Sequence, residues 1–220
     1  MSKHIYIFSP SGAVRDKAGF RRGVKHLQSL GHEVEVDEAA LCSHQRFAGD
    51  DAARLAAIQR AAASGADVAL ISRGGYGLTR LLPELPYAAV ADAVQRGMRF
   101  VGISDFTAFQ NAVGQNRGGH LGRPGADRRV GQPDGPDEIM QACFDDMLSD
   151  QGEGTGWRQH RDPTASAVEF SVQDAVLWGG NLTVLTSLIG TPYFPRVDGG
   201  ILFLEDVAEH PYRIERMLTQ

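Results

Sequence analysis

The first half of the chain alternates short apolar runs with helical patterns, and no other feature of the sequence restricts the fold as strongly. The apolar runs lie at residues 5–8, 67–72 and 99–103, and residues 33–36, Glu-Val-Glu-Val, are predicted as a further strand. Between them, apolar periodicity and helix-capping residues predict helices over 14–30, 51–63 and 88–96, with Asp50 or Asp51 as the cap of the second. This alternation predicts an α/β fold, with a parallel sheet flanked by helices. Ligands bind such sheets beyond the carboxyl ends of the strands.

The pattern changes in the second half of the chain. Residues 114–135 are rich in glycine and arginine and have almost no apolar periodicity, which predicts a long loop or disorder. Helical character returns at 136–148, so residues 1–149 are interpreted as an N-terminal α/β lobe. The polar stretch 150–165 is a predicted linker to a smaller C-terminal α/β lobe, residues 166–220.

In the second lobe, strands are predicted at 167–172, 175–178 and 200–204, and helices over 182–189 and from Pro211 onward. The last helix has an apolar face, and such a face needs a surface to pack on. We therefore expect this lobe to be truncated, with a downstream segment missing.

Composition argues against several classes of protein. A formal net charge of −5 does not suggest nucleic-acid binding. Two cysteines are too few for a disulfide framework and their spacing fits no metal site, so we expect a reducing, cytoplasmic setting. There is no signal-peptide apolar region at the start and no apolar run long enough to span a membrane, so no membrane partner is expected.

Ser104 stands where a serine nucleophile would be presented. The apolar strand 99–103 ends at this residue, and a helix-starting pattern follows at once. Such a turn exposes the hydroxyl, and the N–H of Asp105 lies where an oxyanion would form. The Gly-x-Ser-x-Gly elbow is incomplete, because Phe106 replaces the second glycine. Since serine before aspartate is also a common helix cap, local sequence leaves both interpretations of Ser104 open.

Two further motifs follow predicted strands. The loop 73–77, Arg-Gly-Gly-Tyr-Gly, lets the backbone approach a ligand and could supply a second oxyanion N–H, or it is only a tight turn. No Gly-Lys-Ser/Thr follows it, which disfavours a phosphate loop. Glu205 closes an apolar strand beside Asp206, where a carboxylate can either orient a catalytic histidine or cap the following turn.

A catalytic base cannot be assigned from local sequence. The chain has seven histidines, and each is predicted to be a solvated surface residue: His4, His26, His32, His44, His120, His160 and His210. A serine hydroxyl is a poor nucleophile without a base, so the set of catalytic groups is incomplete.

In their order and spacing these segments resemble the LD-carboxypeptidases, a family of serine peptidases. The matching runs are residues 73–77, 102–107, 179–182, 200–206 and 211–214, and the resemblance covers most of the chain except about 114–135. It implies a murein tetrapeptide carboxypeptidase that removes the terminal D-alanine of muropeptides during cytoplasmic cell-wall recycling. It also implies a muropeptide or small peptide substrate, no cofactor or metal, and a homodimer.

The resemblance also implies roles for individual residues. Ser104 would be the nucleophile and Glu205 the orienting acid of a Ser-Glu-His triad. The oxyanion-hole N–H groups would come from Asp105 and one glycine of the pair 74–75, taken as Gly75. The implied substrate-binding residues are Gly74, Tyr76, Gly180 and Asn181. The family's histidine lies beyond Gln220, so the chain as given lacks the triad base.

Residues 114–131 depart from the family's pattern, which resumes from Pro133. A locally shifted reading frame in the source sequence would produce this, and an intact mass of 23.8 kDa would count against it. Two other functions remain open. One is a muropeptide-binding module that has lost its base. The other is an immunity-type hydrolase of peptidyl or aminoacyl nucleotides, in which Trp178 and Tyr76 would stack on the nucleobase.

Overall fold

A computed structural model describes residues 2–115 and 171–220, together with positions 142, 144–146 and 148 of a helical stretch between them. The strands are β1 His4–Phe8, β2 Glu33–Val36, β3 Val68–Ile71, β4 Arg99–Val101, β5 Leu177–Asn181 and β6 Ile201–Glu205. The helices are α1 Lys17–Ser29, α2 Asp51–Ala63, a 3-10 helix Leu78–Glu84, α3 Tyr87–Gln95, α4 Phe106–Gln115, α5 Leu182–Ser187 and α6 Pro211–Leu218. Within these ranges no helix has the length and apolar character needed to cross a membrane.

The first four strands form one parallel sheet in the order β2-β1-β3-β4. Ile5 of β1 pairs with Val34 on one side and with Val68 on the other. Strands β1 and β3 are therefore interior and covered on both faces, which explains their nearly continuous apolar sequences. The prediction of an α/β fold with a helix-flanked parallel sheet is confirmed.

Successive residues of β1 divide the core into two apolar layers, as the two-residue repeat of a strand requires. Tyr6 and Phe8 pack in the larger layer with apolar residues of α2, α3, α4 and the 3-10 helix. Ile5 and Ile7 pack in the smaller layer with Leu27 of α1 and with buried side chains of the 142–148 stretch. These layers cover both faces of the sheet, and the site described below lies at its carboxyl edge.

The second sheet has only two strands, β5 and β6, which pair in parallel. Helix α5 follows β5 directly, and α6 follows β6 after a short turn. Contacts between β5 and α4 and between α5 and α4 seat this unit on the first sheet's last helix. The unit therefore sits beside the carboxyl end of β4.

Most predicted elements are present within a few residues of their expected bounds. Asp50 caps α2, because its side chain accepts a hydrogen bond from the Ala53 N–H at 2.8 Å. The 3-10 helix was not predicted, and β5 begins and ends later than the strand expected at 175–178. The predictions for residues 116–135, 150–165 and 167–170, and those for His120 and His160, lie outside the described residues.

The shift of β5 has a physical reason. Gly179 and Gly180 are strand residues with φ of +117° and +126°, a conformation that side-chain-bearing residues rarely adopt. A glycine pair is typical of a turn, so the sequence predicted that the strand ends before them.

Asp37 is a buried carboxylate that ties β2 to α2 and β1. It accepts two hydrogen bonds from Arg60, at 2.7 and 2.9 Å, and one from the Tyr6 hydroxyl at 2.7 Å. Burial by itself raises the pKa of Asp37, but the hydrogen bonds from Arg60, Tyr6 and the Ala39 N–H outweigh it and hold that pKa below its usual value.

We expect Asp37→Asn to lower the free energy of unfolding at neutral pH by about 2–4 kcal/mol, because Arg60 and Tyr6 lose their charged acceptor. Since the folded pKa lies below the unfolded value of about 3.9, the stabilisation is complete above that pH. It is lost as the pH falls through the folded pKa, so the variant should lose less stability on acidification. Urea unfolding at several pH values measures both effects.

Glu38→Gln is the matched control. Glu38 is an exposed neighbour whose carboxylate lies 3.5 Å from the same guanidinium. Exposed ion pairs contribute little, so we expect a change of less than about 0.5 kcal/mol. Equal effects of the two variants would contradict the role assigned to Asp37.

Candidate active site

Three loops meet at the carboxyl edge of the first sheet. They follow β1, β3 and β4 and span residues 9–13, 72–77 and 102–105. Because these strands are adjacent and parallel, their ends lie at the same edge. The structure therefore brings Ser104 and the glycine loop 73–77 together, as the sequence predicted.

Ser104 occupies a strained turn between β4 and α4. Its φ is +62°, in the left-handed region that residues other than glycine rarely adopt. Its carbonyl accepts a hydrogen bond from the Thr107 N–H at 3.1 Å. A sharp strand-to-helix turn with a strained residue at its apex is how a serine nucleophile is held.

The helix-cap interpretation of Ser104 has no support in these contacts. A capping serine accepts a hydrogen bond from an N–H in the first turn of its helix. In α4 the first N–H groups, those of Phe106, Thr107 and Ala108, donate instead to the backbone carbonyls of residues 103, 104 and 105. The hydroxyl is therefore left for other chemistry.

Two glycines of the loop after β3 pack against the neighbouring loops more closely than any side chain allows. A Cβ on Gly74 would lie 2.6 Å from the Ser104 Cβ, and a Cβ on Gly75 would lie 2.8 Å from the Ser11 Oγ. Both contacts are far inside van der Waals distance, so only glycine fits at either position. The Gly74 backbone therefore lies directly against Ser104.

Asp105 holds these loops in place from a buried position. Its Oδ1 accepts the Gly75 N–H at 2.9 Å, and its Oδ2 accepts the Ser11 hydroxyl. Burial raises the pKa of Asp105 above its usual value, and the hydrogen bonds from Ser11 and Gly75 offset part of that rise. With its N–H bound to Asp105, Gly75 differs from Gly74, whose N–H makes no hydrogen bond with a described residue.

A buried arginine, Arg54 of α2, joins the loops after β1 and β3 from below. Its guanidinium donates to the carbonyls of Pro10 at 3.3 Å and Gly77 at 3.4 Å, and it bonds Asp51. Arg54 is not among the site residues predicted from the sequence. The available signal was an arginine in an alanine-rich helix, at a position that the helical repeat places on the buried side.

Tyr76 lies at the rim of the site and is exposed. Its hydroxyl contacts the Arg46 guanidinium, whose carbon lies 5.5 Å from the Tyr76 ring centroid. The Phe47 ring meets the tyrosine ring edge-on at 5.5 Å. These contacts fix the orientation of an aromatic side chain that still faces solvent.

Glu205 ends β6 and is held by Asn181, which ends β5. The Asn181 amide donates to the Glu205 Oε2 at 3.0 Å, and its oxygen accepts the Val184 N–H at 3.1 Å, which caps α5. The Asn181 backbone N–H donates to the Thr107 Oγ1 on α4 at 2.9 Å. The predicted acid is thus attached to the helix that begins immediately after Ser104.

Gly180 also contributes to the contact between β5 and α4. It packs against Thr107 so closely that any side chain would overlap the threonine. Nearby, the Gly179 carbonyl accepts a hydrogen bond from Asn111 of α4 at 2.9 Å. Thr107 and Asn111 were not singled out from the sequence, because a threonine and an asparagine on a helix give no local signal of such a contact.

Three of the described histidines have side-chain contacts that involve neither Ser104 nor Glu205. His4 pairs with Glu35 at 3.3 Å, His32 accepts the Lys3 N–H at 3.3 Å, and the His210 ring stacks on Tyr212. Over the same part of the chain, no cluster of histidine, cysteine, aspartate or glutamate could hold a metal ion.

Comparison with known proteins gives two family matches. Residues 5–120 match the LD-carboxypeptidase N-terminal domain, and residues 174–220 match the LD-carboxypeptidase C-terminal domain. A Synechocystis sp. relative, named as a carboxypeptidase, is 30% identical over 98% of this chain and 67% of its own length. A Bacillus subtilis relative, the probable murein peptide carboxypeptidase, is 29% identical over 88% of this chain and 59% of its own length.

Solved structures agree with these matches. The muramoyltetrapeptide carboxypeptidase of Oxalobacter formigenes superposes with a TM-score of 0.73 at 34% identity, covering 98% of this chain and 70% of that one. The microcin C7 self-immunity protein MccF, in complex with aspartyl sulfamoyl adenosine, gives a TM-score of 0.79 at 22% identity, covering 98% of this chain and 72% of that one. The second likeness concerns the fold alone. The chain thus spans from 59% to 72% of the length of these four proteins.

Proposed function

Because the chain belongs to the LD-carboxypeptidase family, we propose that the full-length protein is a serine carboxypeptidase acting on murein tetrapeptides. It would hydrolyse the LD bond that joins the terminal D-alanine to the rest of the peptide. The observation that carries the proposal is Ser104, held at φ +62° at a strand end with the Gly74 backbone packed against it.

In the proposed reaction, the Ser104 Oγ attacks the carbonyl carbon of the LD bond. A histidine from beyond Gln220 takes the hydroxyl proton and passes it to the amine of the departing D-alanine. Water then attacks the acyl-enzyme, and the same base takes and returns its proton. No metal or cofactor takes part in these steps.

The developing oxyanion needs N–H donors that are not already bonded. The Asp105 N–H is adjacent to Ser104 and makes no hydrogen bond with a described residue. For the second donor we propose Gly74 in preference to Gly75, because the Gly75 N–H donates to Asp105. Gly75 would then support the site by fixing the loop.

Glu205 suits the role of orienting acid. Asn181 holds its Oε2, which leaves the Oε1 to accept a hydrogen bond from an imidazole N–H. The carboxylate also borders an open pocket of about 140 Å³, lined by Leu182, Leu204, Glu205, Asp206, Ile214 and Leu218. This pocket offers room for a side chain beside Glu205.

Tyr76 is the strongest candidate for direct contact with the peptide, because it is exposed at the rim and its ring is held in place. The predicted substrate-binding roles of Gly180 and Asn181 have less support, since both are engaged in attaching β5 to α4 and in holding Glu205. We propose that they act mainly in support of Glu205.

The organisation of the full-length protein is also a proposal. Two lobes would be joined through residues 150–165, and the protein would act as a cytoplasmic homodimer, as the family resemblance implies. No nucleic-acid partner is expected from a net charge of −5.

The nucleotide-hydrolase alternative fits less well. Identity is 34% to the muramoyltetrapeptide carboxypeptidase structure but 22% to MccF. Trp178, one of the two side chains expected to stack on a nucleobase, packs edge-on against Phe194 with ring centroids 6.1 Å apart.

We expect Gly74→Ala to lower kcat by about 10²- to 10³-fold, because alanine keeps the N–H but moves it away from the position of the oxyanion. The added methyl group would overlap Ser104 and displace one loop from the other. KM should change little, because an oxyanion donor acts mainly in the transition state. Steady-state kinetics checks this, with Gly97→Ala as a control. Gly97 has a left-handed φ of +99° but no atom within 4 Å of an added Cβ, so only stability should fall.

The proposed function is tested by incubating the full-length protein with a tetrapeptide muropeptide and assaying free D-alanine. A tripeptide muropeptide, which lacks the terminal D-alanine, is the negative control. Calorimetric binding without any release would favour the non-catalytic binding module instead. Absence of both binding and release would reject the proposal.

A further inference from the structure

Thr107 lies between the two proposed catalytic groups of the chain. It is buried in the first turn of α4, three residues after Ser104. Its backbone N–H donates to the Ser104 carbonyl at 3.1 Å, and its Oγ1 accepts the Asn181 N–H at 2.9 Å. One residue therefore bonds the nucleophile's turn with its backbone and the end of β5 with its side chain.

The connection continues from β5 to Glu205. The Asn181 amide donates to the Glu205 Oε2 at 3.0 Å, so a continuous path runs from Ser104 through Thr107 and Asn181 to the acid. The residues along this path are closely packed. Gly180 lies against the Thr107 side chain with no space for a Cβ, and Asn111 fixes the Gly179 carbonyl one turn along α4.

We propose that Thr107 is a positioning residue that sets the placement of Glu205 relative to Ser104, and this inference rests on the proposed function. The threonine hydroxyl is the acceptor that the buried Asn181 N–H requires. Without it, that N–H must find another partner, and β5 must shift away from α4. A shift of this kind moves Glu205, and displacements of about 1 Å in a catalytic set can lower the rate by about 10²-fold.

Thr107→Val tests the proposal in the full-length protein. Valine keeps the branched shape but removes the acceptor, so we expect kcat for D-alanine release to fall by about 10- to 100-fold with KM nearly unchanged. Thr107→Ser keeps the hydroxyl and should restore the rate to within about threefold of the wild type. Thr183→Val, which removes an exposed hydroxyl bonded to Glu209, is the matched control and should leave kcat unchanged.

A double-mutant cycle separates positioning from a general structural effect. If Thr107 acts through Glu205, the Thr107→Val change should have almost no effect on kcat in a Glu205→Gln background. Hydrogen exchange, measured by mass spectrometry, should also become faster in residues 177–185 of Thr107→Val and stay unchanged in β1 and β3.

The outcomes are distinguishable. No D-alanine release by the wild type would overturn the proposed function itself. Wild-type release with an unchanged rate in Thr107→Val would overturn only this inference. This inference would also be overturned if Thr107→Val lowered kcat equally in the Glu205→Gln background, or if Thr107→Ser did not recover activity. If Thr107→Val does not fold, Thr107→Ala replaces it in the double-mutant cycle with Glu205→Gln, and the same outcomes support or overturn the inference.

Discussion

Ser104→Ala in the full-length protein is expected to reduce kcat for D-alanine release by about 10⁴- to 10⁶-fold, the largest change predicted for this protein. The variant removes the atom that would form the covalent bond to the substrate. It leaves the N–H groups of the oxyanion hole in place. The hydrogen bond of the Ser104 turn is made by its backbone carbonyl, which the substitution keeps, so we expect little loss of stability. Muropeptide affinity should persist, which calorimetry with the inactive variant measures.

The control for Ser104 is Ser187→Ala. Ser187 is an exposed serine of α5 whose hydroxyl donates to the Val184 carbonyl at 2.6 Å. Its removal should leave kcat at the wild-type value. If Ser104→Ala kept more than about a tenth of the wild-type kcat, another residue would have to be the nucleophile.

Glu205→Gln is expected to lower kcat by about 10⁴-fold, as removal of the orienting carboxylate does in other serine hydrolases. Glutamine has nearly the same shape, and its amide oxygen can still accept the Asn181 amide hydrogen. Its amide nitrogen would then face the base, placing a donor against the imidazole N–H. The imidazole would turn or adopt the wrong tautomer, and it could no longer accept the Ser104 proton.

Asp206→Asn controls for the loss of a negative charge at the same strand end. Asp206 is exposed, and its carboxylate accepts the Glu209 N–H at 2.9 Å, a bond that asparagine can keep. We expect less than a threefold change in kcat. If Glu205→Gln and Asp206→Asn lowered kcat equally, negative charge at this strand end would explain the effect. Glu205 would then have no role as the orienting acid.

The fold could be predicted because its signals are local. The strands β1, β3 and β4 are largely apolar, and helix α2 has a capping aspartate, so these elements follow from spacing and residue type. The structure departs from the prediction where tertiary contacts override local preference. The glycine pair of β5 remains in a strand because it pairs with Phe203 and Leu204 of β6, which no local pattern indicates.

The site could be predicted only in part, for the same reason. Ser104 and Glu205 stand at strand ends, where the sequence itself shows an interruption of the apolar pattern. Thr107, Asn111 and Arg54 act through partners between 23 and 74 residues away in the chain, so their roles depend on pairings that one sequence does not display.

The hydrogen bonds of Asp105 join residues 11, 75 and 105, three points that are far apart in the chain and meet only when β1, β3 and β4 are side by side. Contacts of such long sequence separation form late, after the entropy of closing the intervening loops has been overcome. A partly folded chain therefore has a serine but no assembled pocket around it. Under the proposed function, the pocket around Ser104 therefore exists only once β1, β3 and β4 have paired.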